Sequence, residues 1–252
     1  MPLPLLHVTN LIHRFANGTL AVNDVNWVIE QGQFIVLSGS NGSGKTALVR
    51  HFNGLLLPTS GSVLLNGVPV QKQLLAARQA VGMVFQDSGS QMVAQTVWDE
   101  IAFGPENLYL SPSEISSRVQ EALAWVGLQG FENRHPFELS GGEQRRLAIA
   151  GILVMRPKMV VFDEPFNGLD YPGVVQTLQQ MVRLHQNNHT ILVITHDLEK
   201  VLAHATRLTL MQNGQLVADG TPEAVLPQTP QFGVKRPYPV NRPIDSLTWL
   251  TN

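Results

Sequence analysis

The eight residues Gly39-Ser40-Asn41-Gly42-Ser43-Gly44-Lys45-Thr46 constrain this chain more than any other stretch, because of what flanks them. The apolar run Phe34-Ile35-Val36-Leu37 reads as a buried strand entering the loop, and residues 47–52 read as a helix leaving it. In that setting G-x-x-x-x-G-K-[ST] is a phosphate cradle. Glycines let the backbone approach a ligand and turn its N–H groups inward, and the helix N-terminus adds partial positive charge. Lys45 is expected to reach the β- and γ-phosphates of a nucleotide, and Thr46 to bind Mg²⁺ through its hydroxyl. All eight positions are therefore candidate nucleotide contacts. A glycine-rich turn that binds nothing would require neither flank.

A chain of 252 residues can bury a full core, as one large domain or as a core with a subdomain. Its 17 basic and 19 acidic residues give a net charge of −2, which argues against nucleic acid or anionic lipid as a partner. There are no cysteines, so disulfides and thiolate metal sites are excluded, as suits a reducing compartment. Met1-Pro2-Leu3-Pro4-Leu5-Leu6-His7 lacks the charged start and long apolar core of a signal peptide. No apolar run approaches the roughly 20 residues that a membrane span needs. Any service to a membrane is expected from outside the lipid.

Residues 5–36 alternate apolar and polar, with turn signals at Asn17-Gly18 and Gln31-Gly32, and predict antiparallel strands with a hairpin. A second hairpin-like stretch spans 58–69, and a strand covers 81–85. Ile115, Val119, Leu123 and Val126 have helical spacing over 111–128; Ser113 and Glu114 just beyond Pro112 mark its start and Gly127 its end. The pattern continues as strand 159–162, helix 174–185, strand 190–195 and helix 198–205. A last hairpin, 208–211 and 216–218, turns at Asn213-Gly214. This alternation predicts an α/β fold with a mostly parallel sheet covered on both faces and an antiparallel β subdomain before it. A helical block near 88–157 interrupts the alternation and reads as an inserted subdomain. The main unit is expected over 1–226, and a Pro- and Gln-rich extension over 227–252 is expected at the surface.

Strand 159–162 ends in Asp163-Glu164-Pro165. Adjacent carboxylates at the end of a buried strand need compensation, since uncompensated buried charge is costly. Mg²⁺ and a phosphate-bound water would supply it, Asp163 holding the ion through its waters and Glu164 polarising the attacking water. A positioned general base is worth about 10²–10⁴ in rate. Leu139-Ser140-Gly141-Gly142-Glu143 opens a further helix. Ser140 with Glu143 reads as a capping box, but a capping box does not need two glycines inside it, whereas close approach to a phosphate does.

The Ser140-Gly141-Gly142 stretch resembles the signature sequence of ATP-binding cassette (ABC) ATPases, and the order and spacing of further motifs match that family over residues 5–225. The resemblance implies a P-loop NTPase core and ATP with Mg²⁺ as ligands. Phe15 then takes the place of the adenine-stacking aromatic. Gln86 takes that of the strand-end glutamine sensing Mg²⁺ and the attacking water, Asp170 that of the D-loop aspartate, and His196 that of the switch histidine at the γ-phosphate. It also implies that Ser140, Gly141 and Gly142 act on nucleotide held by a second ATPase subunit, either an identical copy or a related paralogue.

The stretch Phe85-Gln86-Asp87-Ser88-Gly89-Ser90-Gln91, followed by Ala102-Phe103-Gly104-Pro105 and Asn107-Leu108, is similar to the energy-coupling-factor branch, importers of metal ions and vitamins. Asp87-Ser88-Gly89-Ser90 stands where that branch usually has Asn-Pro-Asp-Asp. The resemblance implies a peripheral motor subunit on the cytoplasmic face of the membrane, with integral transport subunits docking near the segment from Gln91 to Leu108. A conventional ABC importer is the nearest rival. Soluble members acting on ribosomes or DNA fit less well: only one cassette is present, no heptad coiled coil separates Lys45 from Ser140, and no basic face appears. Glu164 and His196 argue against a switch that only binds nucleotide.

Overall fold

The computed structural model describes residues 3–85, 92–237 and 243–250. Four strands, β1 (Leu6–Arg14), β2 (Leu20–Ile29), β4 (Ser60–Leu65) and β5 (Val68–Pro69), form an antiparallel sheet in the order β2-β1-β4-β5. Six others, β3 (Phe34–Ser38), β6 (Val81–Val84), β7 (Met159–Asp163), β8 (Thr190–Ile194), β9 (Arg207–Gln212) and β10 (Gln215–Gly220), form the main sheet in the order β10-β9-β3-β8-β7-β6. All its pairings are parallel except the hairpin of β9 and β10. The expected α/β class and all three expected hairpins are present.

Side-chain alternation in the central strands explains how the layers assemble. Val36, Val160, Phe162 and Val193 face one side and pack with the helices, while Leu37, Val161, Leu192 and Ile194 face the other and pack with the antiparallel sheet. β3, β7 and β8 are buried throughout, which is why each reads as a continuous apolar run. Each such side chain removed from water contributes about 1.5–3 kcal/mol. The strand order sets β3, β8 and β7 side by side, so the loops leaving their carboxyl ends converge. Those loops carry residues 39–46, His196 and Glu164 respectively.

Among the described residues, seven α-helices surround the sheets: α1 (Lys45–Val49), α2 (Leu74–Ala80), α3 (Val97–Asn107), α4 (Pro112–Val126), α5 (Gly141–Leu153), α6 (Tyr171–Gln186) and α7 (Pro222–Val225). The helix after the phosphate loop starts two residues before the expected 47 and ends at Val49 rather than 52. For α4 the cap is Ser111, not Ser113: its side chain accepts the Glu114 N–H, and Pro112 occupies the first turn, where its missing N–H is harmless. The helix expected over 198–205 is replaced by two single 3₁₀ turns, Leu198–Lys200 and Leu202–His204. Asp197 does not cap it, because its carboxylate binds Lys200 Nζ at 2.5 Å, and Val201 breaks the turn at φ −132°. The extension is not a surface tail: Thr229, Val234 and Leu247 are buried, and Phe232, Ile244 and Trp249 pack against the main core.

A buried histidine pair underpins α1. His51 Nδ1 lies 2.7 Å from the Ala47 carbonyl and Nε2 lies 3.2 Å from His13 Nδ1, which is itself 3.1 Å from the Leu57 carbonyl. Carbonyls only accept, so both Nδ1 atoms carry the proton and His51 Nε2 receives. Burial, together with the nearby His13, drives the His51 pKa down to about 4 from 6.5. The folded state therefore binds fewer protons than the unfolded state between those values, and stability falls as pH falls through this window. The linked loss is roughly 3 kcal/mol at most. We expect urea midpoints to decline from pH 7 to pH 4, and His51→Gln to flatten that decline; an unchanged slope in the variant would refute the assignment.

Candidate active site

The converging loops line a cavity of about 860 Å³. Lys45 lies at its floor, almost fully buried, with Nζ donating to the carbonyls of Gly39 (2.8 Å) and Ser40 (2.9 Å). Burial holds its ammonium below the usual lysine range, and the carboxylates of Glu164 and Asp163 pull it back up. The loop itself fits tightly against its neighbours. A Cβ on Gly39 would stand 2.1 Å from the Met211 carbonyl oxygen, and one on Gly44 would stand 2.1 Å from that of Ala21. Both also adopt positive φ. Glycine is required at these two positions by the chain's own packing.

Thr46 Oγ1 donates to Asp163 Oδ2 at 2.8 Å, which brings two of the three expected metal-facing side chains together from β7 and α1. Burial pushes the Asp163 carboxyl up, while the Thr46 hydroxyl draws it down. A hydroxyl and a carboxylate oxygen form a small, hard donor set, which suits an ion that keeps most of its waters and takes its remaining ligands from phosphate. Among the described residues no group of three or more His, Cys, Asp or Glu could hold a metal ion.

Glu164 follows directly and is held in the left-handed region at φ 47°, with its N–H bound to the Ile194 carbonyl. A non-glycine residue there is uncommon and strained, by of order 1–3 kcal/mol. Its carboxylate lies 3.0 Å from His196 Nδ1, which arrives from the end of β8. The Glu164 side chain is mostly buried and the imidazole mostly exposed, so the pair opens toward the cavity with the histidine outermost. Phe15 lies on another part of the wall, 40% exposed and braced edge-on by His13 with ring centroids 4.8 Å apart.

Gly39 and Ser40 enter the site through the carbonyls that hold Lys45, and the other residues expected on the phosphate loop line the cavity. Ser140, Gly141, Gly142 and Asp170 do not line it. Ser140 and Glu143 form the expected capping box of α5, with Ser140 N–H and Oγ donating to Glu143 at 2.8 and 2.7 Å. Asp170 caps α6 by accepting the Gly173 N–H at 3.0 Å. Gln86 and Gln91 lie outside the described residues. Two residues escaped the sequence reading. Arg50 shares a helix face with Thr46 four residues earlier and reaches the cavity wall. Arg145, buried on α5, donates to the Pro165 carbonyl, tying the Ser140 helix to the Glu164 loop.

In the segment from Gln91 to Leu108, Ile101 is core and Trp98 half-buried, while Val93 and Phe103 are 73% and 56% exposed. Glu100 accepts the N–H groups of Val93 and Ala94, both at 2.9 Å, so it shapes this segment from within.

A phosphate loop, a hydroxyl–carboxylate pair and a glutamate held beside a histidine, all at the carboxyl ends of adjacent parallel strands, define a P-loop nucleoside triphosphatase. The chain belongs to the ABC transporter family, whose model matches residues 22–167. It is 46% identical over 233 residues to a putative ABC transporter ATP-binding protein of Halobacterium salinarum, covering 92% of this chain and all of that one. It is 41% identical over 224 residues to an energy-coupling factor transporter ATP-binding protein of Methanocaldococcus jannaschii, covering 88% and 80% of the two chains. Among solved structures it is similar to cbiO1 of Clostridium perfringens, described as part of the ABC transporter complex cbiONQ. That match has a TM-score of 0.81 and 33% identity, over 90% of this chain and 92% of the other. A dimeric ATP-binding cassette bound to ADP and Pi matches with a TM-score of 0.76 and 26% identity, over 86% and 98% of the two chains. The chain is an ATPase of this family.

Proposed function

We propose that this chain is the motor subunit of an importer of the energy-coupling-factor type, coupling ATP hydrolysis to uptake of a metal ion or vitamin. The observation that carries the catalytic part is Glu164 held in a strained backbone conformation, 3.0 Å from His196, above the phosphate loop. In this reading the phosphates of ATP rest on the N–H groups of residues 39–46 and draw Lys45 Nζ away from the Gly39 and Ser40 carbonyls. Phe15 stacks on the adenine. Thr46 and Asp163, with Gln86, would hold Mg²⁺, which supplies charge neutralisation at the β- and γ-phosphates. Glu164 accepts a proton from the attacking water, and His196 fixes the carboxylate and faces the γ-phosphate. The ATPase unit spans 1–226 with its helical subdomain near 88–157, and the described residues of the extension 227–252 pack onto it.

The energy-coupling-factor and cbiO1 relatives support the branch. No helix among the described residues is long and apolar enough to cross a membrane, so transport requires integral partners. We assign their docking surface to the segment from Gln91 to Leu108, on the cytoplasmic face, where Val93 and Phe103 present apolar surface next to acidic Glu106. A buried aromatic anchor commonly contributes 2 kcal/mol or more, about thirtyfold in affinity. Phe103→Asp should therefore lower recovery of integral subunits with the chain from membranes by at least about tenfold. Hydrolysis by the isolated chain should stay within about twofold, because Phe103 is solvent-exposed and outside the cavity. Unchanged recovery would place the partner elsewhere, and the subunits recovered with the wild-type chain would identify the cargo class.

A further inference from the structure

We propose that Trp249 is a positioning residue for hydrolysis, clamping the loop that carries His196 to the loop that runs from Glu164 to Asp170. The indole packs against Tyr171, the residue after Asp170 and the first of α6, with ring centroids 5.5 Å apart and planes tilted by 32°. It also faces Lys200, whose Nζ lies 5.6 Å from the indole centroid. Lys200 is a junction. Its ammonium is paired with Asp197, the residue after His196, at 2.5 Å, and it lies 5.9 Å from the ring of Phe166, two residues after Glu164. A cation between two aromatic faces is attracted to both.

The remainder of the extension holds the indole there. Thr248 Oγ1 lies 3.0 Å from His204 Nε2, at the end of the same switch loop, and Leu247 is buried. Further up the chain Val234 is buried. Among the described residues of the extension, Trp249 is the one whose side chain meets both Lys200, on the stretch after His196, and Tyr171, at the α6 end of the loop after Glu164. Because His196 must keep its 3.0 Å contact with Glu164 while the nucleotide changes, a clamp between their loops acts on turnover and not on capture of ATP. Trp249 touches neither Glu164 nor His196 and reaches them through Tyr171, Lys200 and Asp197.

The clamp rests on the hydrolytic reading of Glu164 and His196, and the test separates the two. Steady-state hydrolysis by the full chain is compared for wild type, Trp249→Ala, Trp249→Phe, Lys200→Met and the double variant Trp249→Ala/Lys200→Met. Trp249→Ala is expected to lower kcat about tenfold, the combined worth of an aromatic pair and a cation–π contact, with KM for ATP within about twofold. Trp249→Phe keeps a stacking face and should restore kcat to within about twofold of wild type. If the clamp acts through Lys200, the double variant should be no slower than Lys200→Met alone. An unchanged kcat in Trp249→Ala, failure of Trp249→Phe to rescue, or additive losses in the double variant overturns the clamp. Glu164→Gln in the same assay is the control: full activity there would overturn the hydrolytic reading instead.

Discussion

Replacing Glu164 with glutamine should abolish turnover while leaving nucleotide capture intact. The substitution keeps the side-chain volume and an oxygen able to meet His196 Nδ1, now 3.0 Å from Glu164 Oε1. It removes only the negative charge that accepts a proton from water. A base positioned in this way is worth about 10²–10⁴ in rate, so kcat should fall by at least a hundredfold. ATP affinity should change little, because the phosphate loop and Lys45 are supplied by β3 and α1, whereas Glu164 follows β7. A mutant that binds without hydrolysing remains closed around ATP, so size-exclusion chromatography with Mg²⁺-ATP should show a stable dimer. Wild-type hydrolysis in Glu164→Gln, or loss of ATP binding with it, contradicts the assignment. The strained φ of 47° at Glu164 is set by its backbone bond to Ile194 and should persist in the variant.

What the sequence disclosed, it disclosed where short-range pattern and tertiary position coincide. The strands before residue 39, before Glu164 and before His196 are buried on both faces, so each appears as an unbroken apolar run whose end marks the site. The start of α4 was legible in principle, since proline at the first helical position requires the cap one residue earlier, at Ser111. The stretch 198–205 misled because Leu198, Val201 and Leu202 have helical spacing and are all buried, yet the capping carboxylate of Asp197 is engaged by Lys200. No local pattern reveals that contact. The extension misled for a related reason. Its Pro and Gln content resembles a solvated tail, while the residues that anchor it, Thr229, Val234, Leu247 and Trp249, find partners across the fold. Arg145 was visible only as a charge on a helix, and its role depends on a carbonyl twenty residues away.

Two inactive variants should regain activity when mixed, and the glycines of α5 explain why. Gly141 and Gly142 have ordinary helical φ, and a Cβ added to either would meet nothing within 4 Å. Unlike Gly39 and Gly44, neither is required by the chain's own packing, and glycine in a helix costs about 0.5–1 kcal/mol relative to alanine. A requirement that does not come from within the chain points outside it, to a ligand brought close to the first turn of α5. The Ser140 end of that helix does not line the chain's own cavity, and the ligand proposed for it is nucleotide held by a second copy or paralogue. Lys45→Ala should lose ATP binding, and Gly141→Asp should fold normally yet set a carboxylate against the partner's phosphates. In a mixed dimer one site combines both lesions, while the other combines the intact loop of one chain with the intact Ser140-Gly141-Gly142 of its neighbour. A random equimolar mixture then contains about a quarter of the wild-type number of intact sites, and should recover about that share of activity. If heterodimers form, as shown by differential tagging, and the mixture is no more active than either variant alone, the shared site does not exist.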